Sequence, residues 1–405
     1  MNNKNLSIKN YIESPGLEGK SLKYFSKKFD KIFLEIKSDI KNTKKTLNIL
    51  DKNFKLNFKI KSLKKFKRFQ TIALIGMGGS ILGSEAIYNF FKKKIKKKVY
   101  FFNDLNENSL LNFKKKEKFS KVLFIIISKS GTTVETLSNI FTLNIMKKNS
   151  KNIILVSEKK NNLLFSLSKK LNLFHIEHRK YIGGRYSVLS EVGILPAYLM
   201  GINVLKLRSK IFNCLEIKNK SFLKSSTLKL ANIMSSKKCN NLILLNYFPE
   251  LNKFLYWCQQ LIAESLGKKN KGFFPVISSA PKDHHSLLQL YLDGPKDKIF
   301  YIFSNEAKSN SKIKIAKNTG IENFLNKKKI SMVKNAQKKS LIKSLAKKDI
   351  SYRDLTIKKT NEEILGELFS FFIIETIIVG KLLNINPFDQ PAVEQVKAYT
   401  KKSLT

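Results

Sequence analysis

The sequence predicts an α/β protein with two domains, each a parallel sheet flanked by helices. Three observations carry that reading. Short apolar, β-branched runs, too short for helices, recur along the chain and alternate with stretches of helical periodicity. Two of the runs end in turns rich in glycine or hydroxyl residues that lead straight into a helix. A chain of 405 residues with 42% hydrophobic content is long and apolar enough to fill two such cores.

Taken in order, residues 1–55 place Tyr24, Phe25, Phe29, Ile32, Phe33 and Ile36 at helical spacing among many lysines, which predicts an amphipathic helical arm. The first domain is expected over 56–210. It opens with a strand from about Thr71 and the turn Gly76-Met77-Gly78-Gly79-Ser80, and strands follow at Val99–Phe102, Val122–Ile127 and Ile153–Val156. Val134–Met146 reads as a helix. The second domain is expected over 211–383, with strands at Leu242–Leu245, Phe274–Ile277 and Ile299–Phe303, and helices at Phe254–Ser265 and Asn361–Leu383. The two join around 205–220, and 384–405 form a C-terminal helical segment.

The net charge of +47 raises the question of a nucleic-acid partner. The excess is nearly all lysine and spread from end to end. Only five residues are arginine (Arg68, Arg179, Arg185, Arg208 and Arg353), whereas nucleic-acid surfaces use arginine for bidentate contacts. No nucleic-acid partner is therefore expected, and an anionic small substrate suits the positive field better. The lysine runs Lys92–Lys98 and Lys327–Lys329 read as solvated surface, and Trp257 as core. Cys214, Cys239 and Cys258 are far apart and form no metal spacing, which fits a reducing, cytoplasmic setting. The N-terminus has no apolar core of signal-peptide length. Leu368–Leu383, interrupted by Glu375 and Lys381, is shorter than the roughly 20 residues a membrane span needs.

Five stretches could carry chemistry. In Ser128-Lys129-Ser130-Gly131-Thr132-Thr133, between a strand and a helix N-terminus, hydroxyls, free N–H groups and a lysine make an anion cradle. The same residues also suit an ordinary capping turn, and the stretch alone does not decide. The glycine turn at 76–80 resembles the start of a dinucleotide fingerprint, but Ile81 occupies the position of the third glycine. What survives is a turn that brings backbone close to a ligand, with Ser80 as a donor. Gly183 and Gly184 precede Arg185 and would let its guanidinium reach into a cleft; a surface ion pair is the alternative. Glu264 lies on an apolar helix with Gln260 one turn earlier, and needs either a function or a buried salt-bridge partner. His284-His285 fit proton transfer better than metal binding, since no Cys or Glu nearby completes a ligand set.

Together these stretches resemble the glucose-6-phosphate isomerase family in its shorter bacterial form. The motifs IGMGGSILG, SKSGTTVET, IGGRYSVLSEVG, QQLIAES, DHHSLLQLYLDG and FDQPAVEQVK occur in the family's order from about residue 71 to residue 397. The resemblance implies two sugar isomerase (SIS) domains and the reversible conversion of glucose 6-phosphate to fructose 6-phosphate through a cis-enediol, without metal or organic cofactor. It implies that Ser128, Lys129, Ser130 and Thr133 hold the phosphate, helped by Ser80, with Glu135 near the sugar. Glu264 then matches the base that moves the proton between C1 and C2, with Gln260 beside it, and Arg185 the arginine that stabilises the enediolate. His285, counted back from Gly294, matches the ring-opening histidine; Gln390 and Lys397 match residues that contact phosphate and ring oxygen. Ala392, Leu266 and His284 depart from the common pattern, where Gly, Asn and Gln are usual. In the family the histidine crosses a dimer interface, so a homodimer with shared active sites is expected. A sibling reading is dual glucose and mannose phosphate isomerisation; a non-catalytic sugar-phosphate sensor is a reading of another class, disfavoured by the intact Glu264 and Lys397.

The chemistry suits these residue types. One carboxylate can take the proton α to the carbonyl and return it to the neighbouring carbon. A fixed cation stabilises the negative charge that develops on oxygen. Phosphate, remote from the reacting carbons, supplies binding energy that orients the sugar.

Overall fold

A computed structural model describes residues 1, 4–306, 311–315 and 324–404. Among them ten strands form two five-stranded sheets. Strand β1 (Leu6–Tyr11) belongs to the second sheet. Strands β2 (Thr71–Gly76), β3 (Lys98–Phe102), β4 (Val122–Ile127), β5 (Ile153–Ser157) and β6 (Phe174–Glu177) build the first, in the order β3-β2-β4-β5-β6 and parallel throughout. Strands β7 (Asn241–Asn246), β8 (Phe274–Ser279), β9 (Lys298–Asn305) and β10 (Tyr352–Ile357) complete the second, in the order β1-β10-β9-β7-β8.

The sequence explains the central strands well. VLFIII of β4 is buried at every residue, as a strand covered on both faces must be. The helix Glu362–Leu382 is buried almost all round, begins one residue after the expected Asn361, and is capped there by the Asn361 side chain accepting from the Ile364 N–H. Glu375, the charge that interrupts its apolar run, meets the Arg353 guanidinium at 2.7 and 2.8 Å in the second core.

Three expectations need correction. Residues 1–55 are not wholly a helical arm: Leu6–Tyr11 pairs antiparallel with β10, with Leu6 opposite Ile357, and only Gly19–Lys41 is a long helix. The segment is short and two of its six residues are Lys and Asn, so its strand character was hidden beside the strong helical period that follows. Strands β6 and β10 were not expected either. In β10, YRDLTI, Arg353 breaks the apolar pattern, yet it is fully buried because Glu375 and Ser226 satisfy it. Finally, the helix after β4 is shorter than expected, Val134–Leu143, ending where Asn144 takes φ 53°.

The crossing order of the first sheet positions the site. Strand order reverses between β2 and β4, so the turns after both strands flank one crevice at the carboxyl edge of the sheet, where open α/β sheets bind ligands.

Candidate active site

The turn after β2 and the turn carrying Arg185 are packed backbone to backbone. A Cβ on Gly79 would lie 2.1 Å from the Gly184 carbonyl carbon, and a Cβ on Gly78, at φ +49°, would lie 2.8 Å from the Gln260 amide nitrogen. Glycine is required here for close approach of two chains. A Cβ on Gly184 would meet only the Gly79 Cα, at an ordinary 3.8 Å, so the close approach requires glycine at 79 and not at 184. Ile81, where a dinucleotide fingerprint has glycine, is buried. Ser80 is half-buried at the end of the turn.

Arg185 is 1% exposed and every donor group of its guanidinium is used. Nε donates to Ser265 Oγ at 2.8 Å, Nη1 to Glu264 Oε2 at 3.0 Å and to Gln390 Oε1, and Nη2 to the carbonyls of Pro387 and Asp389 at 2.6 and 3.0 Å. A planar fork reaches five acceptors from two segments, the Glu264 helix and residues 387–390; an ammonium could not. Tyr186 Oη bridges Ser265 Oγ and the Pro387 carbonyl, and burial pushes its phenol upward in pKa. Trp257 is core, as expected, but its indole N–H also donates to the Arg185 carbonyl at 3.2 Å.

Glu264 is neither an exposed ion-pair partner nor a sealed structural one: its side chain is 30% exposed. It stands on the helix Asn252–Leu266, where Gln260 Nε2 donates to Oε1 at 2.8 Å while Arg185 holds Oε2. Gln260 Oε1 is buried and has no hydrogen-bond partner among the described residues. Glu264 and Gln390 line a cavity of about 1040 Å³ with the turn 267–271 and the segment 384–393. The carboxylate is thus oriented from both oxygens and faces an open space.

In the turn after β4, Ser128 Oγ accepts from the Gly131 N–H and Ser130 Oγ from the Thr132 N–H, both at 3.2 Å. Thr133 is the N-cap of Val134–Leu143, yet its side chain makes no capping bond. Its hydroxyl lies 2.8 Å from Ser128 Oγ and 3.5 Å from Ser130 Oγ, so three hydroxyls converge at a helix N-terminus. Gly131, at φ +70°, is pressed on the Asn162 side chain, where a Cβ would come within 1.8 Å. Lys129 Nζ donates to the Lys180 carbonyl at 2.7 Å and stands 3.8 Å from Glu158; burial lowers its pKa, and Arg185 adds to that. Glu135 is half-buried in the first turn of the helix.

Two expected residues stand apart. His285 is exposed at the end of the short turn Lys282–His285, while His284 Nε2 sits 2.7 Å from the Tyr247 hydroxyl and its pKa is lowered by burial. Lys397 lies on the C-terminal helix Pro391–Ser403, which buries no residue, and pairs with Glu394 at 2.7 Å. Within one chain, then, Arg185, Gln260, Glu264 and Gln390 come together with Ser80 close by, the hydroxyl turn lies along the same sheet edge, and His285 and Lys397 join neither group. Ser265, Tyr186, Lys268 and Asp389 were missed. Ser265, Tyr186 and Asp389 each adjoin an expected site residue and Lys268 lies four positions after Glu264, so closeness in sequence to Glu264, Arg185 or Gln390 was the available signal.

Among the described residues no helix is long and apolar enough to cross a membrane. Two five-stranded sheets flanked by helices, the first parallel throughout and the second parallel but for β1, make this the fold of paired SIS-type domains. A solved Thermus thermophilus protein superposes with a TM-score of 0.83 at 23% identity, covering 98% of this chain and 100% of its own. The glucose-6-phosphate isomerase of Chlamydia trachomatis superposes with a TM-score of 0.80 at 16% identity, covering 100% and 89%. Both likenesses are of fold. The phosphoglucose isomerase family model matches residues 34–404. The Methanocaldococcus jannaschii glucose-6-phosphate isomerase is 32% identical over 346 residues, covering 82% of this chain and 84% of its own. The chain belongs to the phosphoglucose isomerase family.

Proposed function

We propose that this chain interconverts glucose 6-phosphate and fructose 6-phosphate through a cis-enediol, the reaction of the family to which it belongs. The observation that carries the reading is Glu264, held at both oxygens by Arg185 and Gln260 beside an open cavity. Starting from the open-chain aldose, Glu264 takes the proton from C2. The electron pair forms the C1–C2 double bond, and charge builds on the carbonyl oxygen, where Arg185 stabilises it. The C2 hydroxyl gives its proton to O1 through the cis-enediol, and the protonated carboxyl returns its proton to C1 as the ketone forms at C2. Ser128, Ser130, Thr133, Lys129 and Ser80 take the phosphate, with Glu135 near the sugar and Gln390 as a further contact. Residues 56–210 and 211–383 are read as the two SIS domains.

Ring opening falls to His285 and Lys397, which lie apart from Glu264 in one chain. We read them as completing the site in a homodimer. A C-terminal helix with no buried residue, exposing Val396 and Tyr399, supports that reading. The cytoplasm is the proposed setting, consistent with three free cysteines. Coupled turnover of fructose 6-phosphate tests the activity, with mannose 6-phosphate assayed alongside; no turnover of either overturns it. Sedimentation tests the dimer, and a strictly monomeric active enzyme rules it out.

A further inference from the structure

The segment that brings Gln390 to the site runs from Asn384 across the end of the Glu264 helix, and its backbone is tied down by cations. Arg185 and the Tyr186 hydroxyl take the Pro387 carbonyl, Arg185 also takes that of Asp389, and Lys269 takes that of Asn384. Lys268, four residues after Glu264, makes two bonds to this strap: to the Asn386 carbonyl at 2.6 Å and to Asp389 Oδ1 at 2.8 Å. The other Asp389 oxygen accepts from Asn386 Nδ2 at 2.8 Å, and Asn386 Oδ1 accepts from the Phe388 N–H, so the carboxylate closes the turn just ahead of Gln390. Lys268 keeps only 14% of its side chain exposed, while Asp389 remains half exposed on the cavity wall. The lysine beside Asp389 holds that carboxyl below its ordinary range.

We propose that Lys268 and Asp389 are positioning residues: their pair fixes the strap on the end of the Glu264 helix and so sets where Gln390 meets the substrate. The argument rests on the proposed function, because it takes Gln390 as a substrate contact. Next to Gln390 the other holder of the strap is Arg185. Its fork is already divided between Glu264, Ser265, Gln390 and the strap carbonyls, so a strap held only by Arg185 would move with the group that stabilises the reaction. Tyr186 and Lys269 hold the strap at Pro387 and Asn384, and Lys268 adds the anchor closest to Gln390, at Asn386 and Asp389, while touching neither Glu264 nor Gln390.

The test is steady-state turnover of fructose 6-phosphate. Lys268→Met and Asp389→Asn should each raise KM about tenfold with kcat within about threefold, because a binding contact is displaced and the base is not. Lys268→Arg, which can still bridge both acceptors, should stay within about threefold of wild type in KM. In a Gln390→Ala background, Asp389→Asn should add less than about twofold, since both changes act through one contact. An unchanged KM in Lys268→Met, or the same factor for Asp389→Asn with and without Gln390, overturns the proposal while the activity stands. A fall in kcat and melting temperature with KM constant also overturns it, as it marks a purely structural pair. A wild-type chain that does not turn over fructose 6-phosphate overturns the proposed function and this inference with it.

Discussion

Arg185 Nη1 and Glu264 Oε2 are 3.0 Å apart and come from positions 79 residues apart in the chain, one fully buried and the other open to a cavity. That asymmetry separates their roles. The guanidinium is fixed by five bonds and has little freedom to move, which suits the proposed stabilisation of charge on the substrate oxygen. The carboxylate is held but accessible, as a group that must reach two carbons has to be.

Glu264→Gln should therefore abolish isomerisation while leaving binding intact. The amide keeps the shape and can accept from Arg185 but cannot take a proton. Loss of turnover by about a thousandfold or more is expected, within the usual worth of a general base. Titration of the variant with fructose 6-phosphate should still give a binding isotherm. A rate near wild type would remove Glu264 from the mechanism.

Arg185→Lys should fold and fail. A single ammonium cannot reach Ser265, Glu264, Gln390 and two carbonyls at once, so the buried acceptors of the strap are left without donors. A fall in kcat of about a hundredfold is expected, with stability lower by about 2 kcal/mol in urea denaturation. An unchanged kcat would show that the fork is needed for structure alone.

Much of the fold is legible in the sequence. The buried runs of β2, β4, β5, β7 and β9 announced themselves by apolar continuity, and the glycine and hydroxyl turns by composition. What was hidden shares one physical cause: a polar residue whose partner lies far along the chain looks like a break in pattern. Arg353 obscured β10 because Glu375 and Ser226, which satisfy it, sit on other elements. The scarcity of arginine was a real signal, yet it marked burial as much as function. Arg353 and Arg208 satisfy buried acceptors and line no part of the cavity, Arg208 reaching the carbonyls of Leu189, Ile49 and Asp51. Only the flanking Gly-Gly set Arg185 apart. His285 and Lys397 could be matched by motif, but nothing local in sequence says which surface they meet.

Glu375→Gln separates the fold from the site. The carboxylate is bidentate to a fully buried guanidinium and accepts from Ser226 at 2.6 Å. Removing its charge strands Arg353, and a loss of about 3 kcal/mol is expected. KM for fructose 6-phosphate should not change in the fraction that remains folded. A shift in KM would mean that the second core transmits to the cavity.

Gly79→Ala tests the contact between the two turns. The added methyl must displace the Gly184 carbonyl, which is backbone and cannot swing aside as a side chain would. A cost of about 2 kcal/mol is expected from overpacking, together with a loss of turnover because Arg185 follows Gly184 directly. Equal stability by urea denaturation would show that the turns separate without strain.

Acid sensitivity should come from two histidines beside the hydroxyl turn. Burial, then the charge of Lys129, lowers the His178 pKa to about 4, with the Arg179 carbonyl and Glu158 opposing; burial and Lys159 bring His175 to about 4 as well. Both depart downward from an ordinary value near 6.5. Between those values the unfolded chain binds protons that the folded chain refuses, so stability falls as pH drops from about 6.5 toward 4 and is unaffected by these groups above about 7. Each histidine contributes a slope of up to about 1.4 kcal/mol per pH unit in that window. His178→Asn keeps a donor for the Arg179 carbonyl and cannot titrate. Urea denaturation across about pH 4–7 should therefore show a shallower acid slope in His178→Asn than in the wild type. Parallel slopes would place the acid loss on other groups.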